Sequence, residues 1–135
     1  MAKVLLCIGT NLGNRKHNIE RALNAIDKYA GRILKTTDIM ETKPFGVTRQ
    51  PNFLNIGVLI KTEHPPFLLL NILKRLEKKV GRYPTYRWGP RVIDIDILTY
   101  ENLRIGTKKL KIPHPGIKER DFFKKALELT KEGAL

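Results

Sequence analysis

The 135-residue sequence lacks several features that define common protein classes. It has one cysteine, Cys7, so an internal disulfide is excluded, and the apolar neighbours of Cys7 predict a small buried hydrophobe. The longest apolar stretches, such as residues 65–70, are too short to cross a bilayer. The first residues, Met-Ala-Lys, have no signal-peptide pattern. We therefore expect a cytoplasmic protein with no membrane partner.

Acidic residues are also scarce, because 26 lysines and arginines stand against 13 aspartates and glutamates, for a net charge of +13. This excess favours an anionic partner, which could be nucleic acid, a membrane surface or a polyphosphate. The basic residues are spread along the chain, so the charge gives the sign of the partner and not its identity. The length predicts one domain over 1–135 with room for a buried core.

Neither common nucleotide-binding fingerprint is present, since the chain has no Gly-Lys-Ser/Thr ending and no Gly-x-Gly-x-x-Gly. The segment 9–13, Gly-Thr-Asn-Leu-Gly, follows an apolar strand and has two alternatives. It could cradle a phosphate with its backbone, or it could be a plain turn before a helix capped by Asn14. We favour the turn.

Hydrophobic periodicity predicts the order β-α-β-β-α-β. This order indicates an α+β fold of the ferredoxin-like kind, with an antiparallel sheet, helices on one face and the other face free for ligands. Proline and glycine predict long loops over 41–52 and 82–90, and a short hairpin arm after Tyr100. The predicted strands cover 3–8, 32–40, 53–62 and 92–98, and the predicted helices cover 15–30, with Gly31 as a C′ residue, 66–80 and 117–131.

The strand over 92–98 alternates between apolar and acidic residues. Ile93, Ile95 and Ile97 share one face, and Asp94 and Asp96 share the other, with Cα atoms about 7 Å apart. Two neighbouring carboxylates repel each other unless a divalent cation binds between them, and oxygen ligands suit magnesium.

Arg87 and Arg91 precede these aspartates and suit phosphate oxygens. Carboxylates, magnesium and arginines together indicate phosphoryl transfer. The alternative is an Asp-x-Asp pair on a solvated edge strand that binds nothing. The residues alone leave these two interpretations evenly balanced.

Two further positions carry open alternatives. Phe53 and Asn55 should lie on the open face, where Asn55 is either a strand-end hydrogen bonder or recognises a flat heterocycle. His114, held between two prolines, is either a structural loop residue or a phosphate contact when protonated.

Several strings resemble the 6-hydroxymethyl-7,8-dihydropterin pyrophosphokinase family of folate biosynthesis, in the family's order. They are IGTNLG at 8–13, ETKPFG at 41–46, QPNFLN at 50–55, Glu77 with Gly81-Arg82, RWGPRVIDIDI at 87–97 and IPH at 112–114.

The resemblance implies transfer of pyrophosphate from the co-substrate ATP to the hydroxymethyl group of the dihydropterin, with attack on the β-phosphorus and release of AMP. It also implies two magnesium ions held by Asp94 and Asp96, and closure of loops 9–13, 42–52 and 82–91 over the site. We expect a monomer with small-molecule substrates and no nucleic-acid partner.

The resemblance also implies a role for each matching residue. The implied catalytic residues are Arg82, Arg91, Asp94 and Asp96; the pterin contacts are Thr42, Pro44, Phe45, Phe53, Asn55, Trp88 and Phe122; and the ATP contacts are Lys74, Glu77, Trp88, Arg91, Ile97, Lys109, His114 and Arg120.

The sequence departs from the family at four positions. Phe53 replaces a common tyrosine, Pro84 stands near a common loop arginine, and Lys109 and Lys111 replace an arginine and a threonine. Two rival interpretations remain, an RNA-binding module that uses the open sheet face and a metal-dependent phosphodiesterase.

Overall fold

The computed structural model describes residues 1–44, 46, 49–83, 85–86 and 88–131. Residues Phe45, Pro84 and Arg87, which carry predictions above, lie outside the described part. The strands are β1 (Ala2–Thr10), β2 (Arg32–Thr36), β3 (Met40–Thr42), β4 (Phe53–Thr62), β5 (Asp94–Tyr100), β6 (Ile105–Gly106) and β7 (Lys111–Ile112), and the helices are α1 (Arg15–Ala25), α2 (Pro66–Val80) and α3 (Asp121–Leu127). A π-helical turn, Ile26–Ala30, extends α1, and a 3-10 turn, Glu128–Thr130, extends α3.

The main sheet is antiparallel and has the strand order β2-β4-β1-β5, with β3 paired to β4. In the centre, Leu6 of β1 lies opposite Val58 of β4 on one side and Ile97 of β5 on the other. The strands β6 and β7 form a separate hairpin arm. These features confirm the predicted α+β class, the βαββαβ order and the arm after Tyr100.

The predicted apolar faces pack together between the sheet and α1 and α2. One buried cluster contains the alternate aliphatic residues of β4 and β5 together with residues of both helices. It includes Ile56 and Val58 from β4, Ile95 from β5, Ile19 from α1 and Leu73 from α2. Because this side of the sheet is filled, the alternate residues of the same strands project to the opposite face.

The third helix covers part of that opposite face, a side that the sequence did not assign to it. Phe123 and Ala126 of α3 pack on Leu5, Cys7 and Leu98 of the sheet. A Cβ atom at Gly57 would lie 2.7 Å from the Ala126 Cβ atom, so glycine is needed there for α3 to approach. The open part of this face is therefore restricted to one end of the sheet.

Two of the predicted boundaries are wrong for a clear physical reason. The single strand predicted over 32–40 is interrupted, because Thr37 accepts the Gly57 N–H with its side chain and so replaces a regular strand pair. The helix predicted over 117–131 begins only at Asp121, since residues 117–120 form turns in which the Glu119 and Arg120 N–H groups donate to Gly116 O.

Gly31 does follow the first helix, but its φ of 170° is extended and not left-handed. Glycine is required there for space, since a Cβ atom would lie 2.7 Å from Lys61 O. Within the described residues, no helix combines the length and the apolar content needed to cross a membrane.

Candidate active site

A cavity of about 300 Å³ opens at the end of the sheet that α3 leaves uncovered. Its walls come from β4, β5, α3 and the loops that the sequence predicted to be long. Nine of the predicted site residues line it together: Thr42, Phe53, Asn55, Trp88, Arg91, Asp94, Asp96, Arg120 and Phe122.

Asp94 lies between two guanidinium groups. Its Oδ1 accepts from Arg82 Nη1 at 2.9 Å, and its Oδ2 accepts from Arg91 Nη1 at 3.0 Å. Both oxygens of Asp94 are therefore engaged by charged donors, which are among the stronger hydrogen bonds in proteins.

Asp96 lies two residues further along the same face of β5 and has a different environment. Within the described chain it makes none of the ion pairs that hold Asp94. Burial, followed by the negative charge of Asp94, raises the pKa of Asp96 to about 7, and Lys74 opposes the shift. A nearby cation would favour the ionised form of this carboxyl.

The carboxylate pair fits magnesium shared with a phosphate ligand better than a metal held by protein alone. Among the described residues no group of three or more histidine, cysteine, aspartate or glutamate side chains could enclose a metal ion. Mg²⁺ is commonly bound by one or two carboxylates, with substrate phosphates and water completing its coordination. Asp94 and Asp96 meet that requirement as a donor set.

Glu77, from α2, is the buried link between the helix layer and this strand. Its side chain is 2% exposed, and its Oε2 accepts from the Ile95 N–H at 2.7 Å. Its Oε1 lies 3.0 Å from Arg82 Nη1 and 3.4 Å from Lys74 Nζ. Burial raises the pKa of Glu77, whereas the Ile95 N–H and Lys74 lower it. Arg82 is thus fixed between Glu77 and Asp94.

Asn55 occupies the cavity floor and is 4% exposed. Its amide Nδ2 donates to Thr42 Oγ1 at 2.7 Å and lies 3.4 Å from Met40 O. A Cβ atom at Gly9 on the neighbouring strand would lie 3.1 Å from Asn55 Oδ1. Glycine at position 9 therefore leaves room for this amide, a requirement that the sequence analysis missed.

Aromatic rings line the same cavity as the Asn55 amide. Phe53 enters from β4 and Phe122 from α3, where Phe122 packs edge-on against Phe123 with ring centroids 4.6 Å apart. Trp88 stands at the cavity edge with a positive φ of 62°. A Cβ atom at Gly46 would lie 2.8 Å from the Trp88 ring, so the two long loops meet there.

Asn11, which the sequence analysis treated as part of a plain turn, joins three loops. It is 1% exposed, donates to Gln50 Oε1 at 2.8 Å and Pro51 O at 3.0 Å, and accepts from the Arg91 N–H at 2.7 Å. Gln50 in turn donates to Trp88 O at 2.7 Å. The turn prediction is confirmed only at Asn14, whose side chain accepts from the His17 N–H.

Other predicted site residues lie outside the cavity wall. Ile97 is buried in the helix-side core, and Lys109 is exposed in the turn between β6 and β7. The remaining predicted residues that do not line the cavity are Lys74, Glu77, Arg82, Pro44 and His114, whereas Cys7, Lys43 and Asp121 line it without having been predicted.

The fold and the cavity define an α+β protein in which paired carboxylates, guanidinium groups and aromatic rings meet at one end of the sheet. A family model described as 7,8-dihydro-6-hydroxymethylpterin-pyrophosphokinase (HPPK) matches residues 5–131.

Curated relatives agree with this match. A 2-amino-4-hydroxy-6-hydroxymethyldihydropteridine pyrophosphokinase from Aquifex aeolicus is 44% identical over 123 residues, which are 91% of this chain and 76% of that protein. The protein of the same name from Bacillus subtilis is 38% identical over 118 residues, covering 87% of this chain and 71% of its own length. The chain belongs to the HPPK family of enzymes.

Longer proteins contain a similar unit. A folate synthesis bifunctional protein from Arabidopsis thaliana is 41% identical over 121 residues, which are 89% of this chain and 25% of that protein. The crystal structure of wild-type HPPK-DHPS from Plasmodium falciparum superposes with a TM-score of 0.66 at 19% identity, covering 95% of this chain and 33% of that one. This structural likeness supports the fold alone.

Proposed function

We propose that this protein transfers pyrophosphate from ATP to the hydroxymethyl group of 6-hydroxymethyl-7,8-dihydropterin and releases AMP. Membership of the family supports pyrophosphoryl transfer in folate biosynthesis. The observation that carries the assignment to this cavity is the position of Asp94, held by Arg82 and Arg91 beside Asp96, which forms no ion pair with the residues that the structure describes. In the reaction the hydroxymethyl oxygen forms a bond to the β-phosphorus, the bond between that phosphorus and the bridging α-β oxygen breaks, and the hydroxyl proton is released.

Asp94 and Asp96 would hold two magnesium ions. When bound, the ions would neutralise triphosphate charge and favour ionisation of the attacking hydroxyl. The protein prepares this arrangement through β5, because the buried Ile95 fixes the strand between the two aspartates. Asp94 would exchange its guanidinium partners for the metals and the substrate.

Arg82 and Arg91 would then contact phosphate oxygens. A guanidinium suits both a carboxylate and a phosphate because its planar donors match two oxygens at once. Glu77 keeps hold of Arg82 through a 3.0 Å ion pair during this exchange. We therefore assign Glu77 mainly to the placement of Arg82 and of the β5 backbone.

The floor of the cavity would bind the pterin. Asn55 presents an amide for the edge of the heterocycle, supported by Thr42. The family resemblance adds backbone groups around Thr42 and Phe45 and a contact from Pro44, and Phe45 lies outside the described residues. Phe53 and Phe122 would stack on the ring faces, with Trp88 at the cavity edge. An aromatic ring at Phe53 keeps the stacking that a tyrosine would offer and lacks its hydroxyl.

The ATP contacts follow from the positions of the remaining predicted residues. Arg120 lines the cavity, and Lys74 Nζ lies 3.4 Å from Glu77 Oε1, the oxygen that also holds Arg82. Because its side chain is buried, Ile97 would contact ATP only through its backbone at the outer edge of β5. Lys109 would need movement of the hairpin arm. The further contacts proposed for ATP are Glu77, Trp88, Arg91 and His114.

The proposal treats residues 1–135 as one catalytic domain that acts as a cytoplasmic monomer on small molecules. An RNA-binding module is less well supported, because the open face carries two aspartates that repel a phosphate backbone unless they bind metal. The same repulsion applies to a membrane surface of anionic lipids.

The test is AMP release from ATP, measured with and without the dihydropterin, for wild type, Asp94→Ala and Asp96→Ala. Both variants should lose AMP formation by at least about a thousandfold, since electrostatic stabilisation is a large part of phosphoryl transfer. Asp38→Ala, a matched change at an exposed carboxylate outside the cavity, should leave the rate unchanged. Full activity in both cavity variants would contradict the metal assignment, and tight RNA binding without turnover would favour the module.

A further inference from the structure

A second cavity, of about 380 Å³, lies at the opposite end of the sheet from the candidate active site. The strand β4 connects the two, since Asn55 lines the first cavity and Thr62 lines the second. These two residues are seven positions apart in an extended strand, which corresponds to about 23 Å. We name the second cavity the basic groove, because Lys28, Arg32 and Lys61 line it.

Hydrogen bonds hold the floor and one wall of the basic groove. Thr62 is 2% exposed, and its Oγ1 donates to Ala30 O at 2.6 Å and accepts from the His64 N–H at 3.1 Å. The Nε2 atom of His64 lies 3.3 Å from Tyr29 O. Tyr29 belongs to the π-helical turn Ile26–Ala30, and such turns are rare and frequent at functional sites. The backbone that carries Tyr29 is therefore fixed against β4.

Two ammonium groups converge on the Tyr29 side chain, which belongs to an exposed residue of the groove. Lys79 Nζ, from α2, lies 4.5 Å from the ring centroid and donates to Tyr29 Oη at 3.1 Å. Lys28 Nζ lies 5.3 Å from the same centroid. Because Tyr29 Oη accepts from Lys79, its own hydrogen can be donated to another acceptor. The hydrogen bond from Lys79 and the charge of Lys28 also lower the pKa of Tyr29, which strengthens it as a donor.

The positive charge around the groove is not balanced by ion pairs. Four cations surround it: Lys28, Arg32, Lys61 and Lys79. None of them forms an ion pair with a residue that the structure describes. Two acidic residues, Asp27 and Glu63, also line the groove, and Asp27 Oδ1 accepts from the Ile33 N–H at 3.0 Å. Cations held close together without partners favour the binding of an anion.

We propose that the basic groove binds a small phosphate-bearing anion, with Lys28, Lys79 and the Tyr29 hydroxyl as its main contacts. A phosphate group carries nearly two negative charges at neutral pH and several acceptor oxygens, which match two ammonium groups and one hydroxyl donor. A carboxylate carries one charge and would leave one ammonium group unbalanced. The carboxylates of Asp27 and Glu63 would repel a long phosphate backbone, which favours a small anion. The inference does not depend on the proposed reaction, because the groove lies at the other end of β4.

The first test is a titration with pyrophosphate in the absence of magnesium, followed by nitrogen-15 NMR so that each cavity is observed separately. The backbone signals of Tyr29, Gly31 and His64 should shift together along one saturating curve. The signals of Asn55 and Asp96 report on the candidate active site in the same spectra. Groove signals that show no saturable shift up to about 10 mM pyrophosphate would overturn the inference, since weaker binding is not that of a formed site.

The second test compares two double variants that lose the same charge. Lys28→Gln with Lys79→Gln should weaken pyrophosphate binding at the groove at least about tenfold, because two charged hydrogen bonds are lost. Lys16→Gln with Lys125→Gln changes two exposed lysines outside the groove and should stay within about twofold of wild type. Equal losses in the two double variants would show only a general attraction to a basic protein and would overturn the inference.

Two single substitutions should change the affinity in opposite directions. Tyr29→Phe keeps the ring and removes the hydroxyl donor, so pyrophosphate should bind about threefold more weakly. Glu63→Gln removes a repelling charge from the groove, so pyrophosphate should bind about twofold more tightly. Weaker binding by Glu63→Gln, or an unchanged affinity in Tyr29→Phe, would contradict the proposed contacts. Both residues are exposed, so neither change should affect folding.

Two further probes separate a free anion from a phosphate group carried by a larger molecule. A single-stranded oligonucleotide and vesicles that contain phosphatidylglycerol present the same chemistry on a polymer and on a membrane surface. Neither should bind wild type more tightly than pyrophosphate does at equal phosphate concentration. Binding of either probe at least about a hundredfold tighter than pyrophosphate, and lost in Lys28→Gln with Lys79→Gln, would overturn the small-anion assignment.

Discussion

The two faces of β5 carry residues of opposite character within a few ångströms of each other. On the helix side, Ile95 and Ile97 are almost completely buried among aliphatic neighbours. On the cavity side, Asp94 is held by two arginines, and Asp96 has a pKa raised to about 7. Burial of the apolar side chains on the first face stabilises the folded protein. Repulsion between the two close carboxylates on the second face destabilises it. The apolar face therefore supplies the stability that the charged face needs.

The largest effect should come from breaking the apolar face. Ile95→Ala should lower the free energy of unfolding by about 3–4 kcal/mol, because it removes buried methyl groups and leaves a cavity. Urea denaturation measures this loss. Thr99→Ala, at a half-buried position of the same strand, should cost much less. AMP formation per folded molecule should fall only modestly in Ile95→Ala, because Ile95 supports the strand but does not line the cavity. A loss as large as that of Asp96→Ala would contradict the separation of the two faces.

Glu77, the link between the faces, should give the next effect. Glu77→Leu leaves the Ile95 N–H and one side of Arg82 without an acceptor and should destabilise the protein by about 2–3 kcal/mol. Glu77→Gln keeps one carbonyl oxygen, which can accept from the Ile95 N–H or from Arg82 but not from both, and should cost about 1 kcal/mol less than Glu77→Leu. The same denaturation series separates them, and equal stabilities would mean that Glu77 contributes only packing.

Asn11 holds the loops on the cavity side of the sheet, and its loss should give the third effect. Asn11→Ala removes its hydrogen bonds to the two long loops and should cost about 1–2 kcal/mol. It should also reduce the AMP-release rate, because Arg91 and the Gln50 segment lose their shared partner. Asn102→Ala, an exposed asparagine in a turn, serves as the control. An unaltered rate in a stable Asn11→Ala protein would show that the loops are positioned by other contacts.

The smallest effect should be a pH dependence of the protein's stability that arises from the charged face. Folding raises the pKa of Asp96 from 3.8 to about 7, so Asp96 binds its proton more tightly in the folded state. The resulting contribution to the free energy of unfolding is fully present below pH 3.8 and is lost as the pH rises to about 7. Asp96→Asn lacks this loss, so without magnesium it should gain stability relative to wild type between pH 4 and 7, by about 1 kcal/mol after allowance for relaxation.

Thermal unfolding across pH would measure this difference, and saturating magnesium should reduce it. A stability difference that is independent of pH would mean that Asp96 titrates as an ordinary exposed carboxyl. A magnesium-insensitive difference would contradict metal binding at this pair.

The sequence was sufficient where neighbouring residues decide the structure. The alternation of residues 53–62 predicted β4 to its exact ends and assigned its two faces correctly, because side-chain direction in a strand has a fixed period. The family resemblance as a whole, in turn, predicted nine residues that line one cavity.

The rest depended on contacts between distant residues. Asn11 is buried by partners that lie 39, 40 and 80 residues away, and no local pattern distinguishes it from an ordinary turn residue. Glu77 was named through the family resemblance, but its acceptor role toward Ile95 becomes visible only when α2 packs on β5. The interruption after β2 likewise requires the Thr37 side chain to meet Gly57 across the sheet.

Trp88 is the only tryptophan in the chain, and its ring lies against Gly46 where the two long loops meet. Its indole fluorescence therefore comes from a single place, without background from other tryptophans. Any change in loop packing or ring exposure would alter the emission wavelength and intensity. The protein thus contains its own optical reporter, which would allow ligand-induced loop movement to be followed in real time in the unlabelled chain.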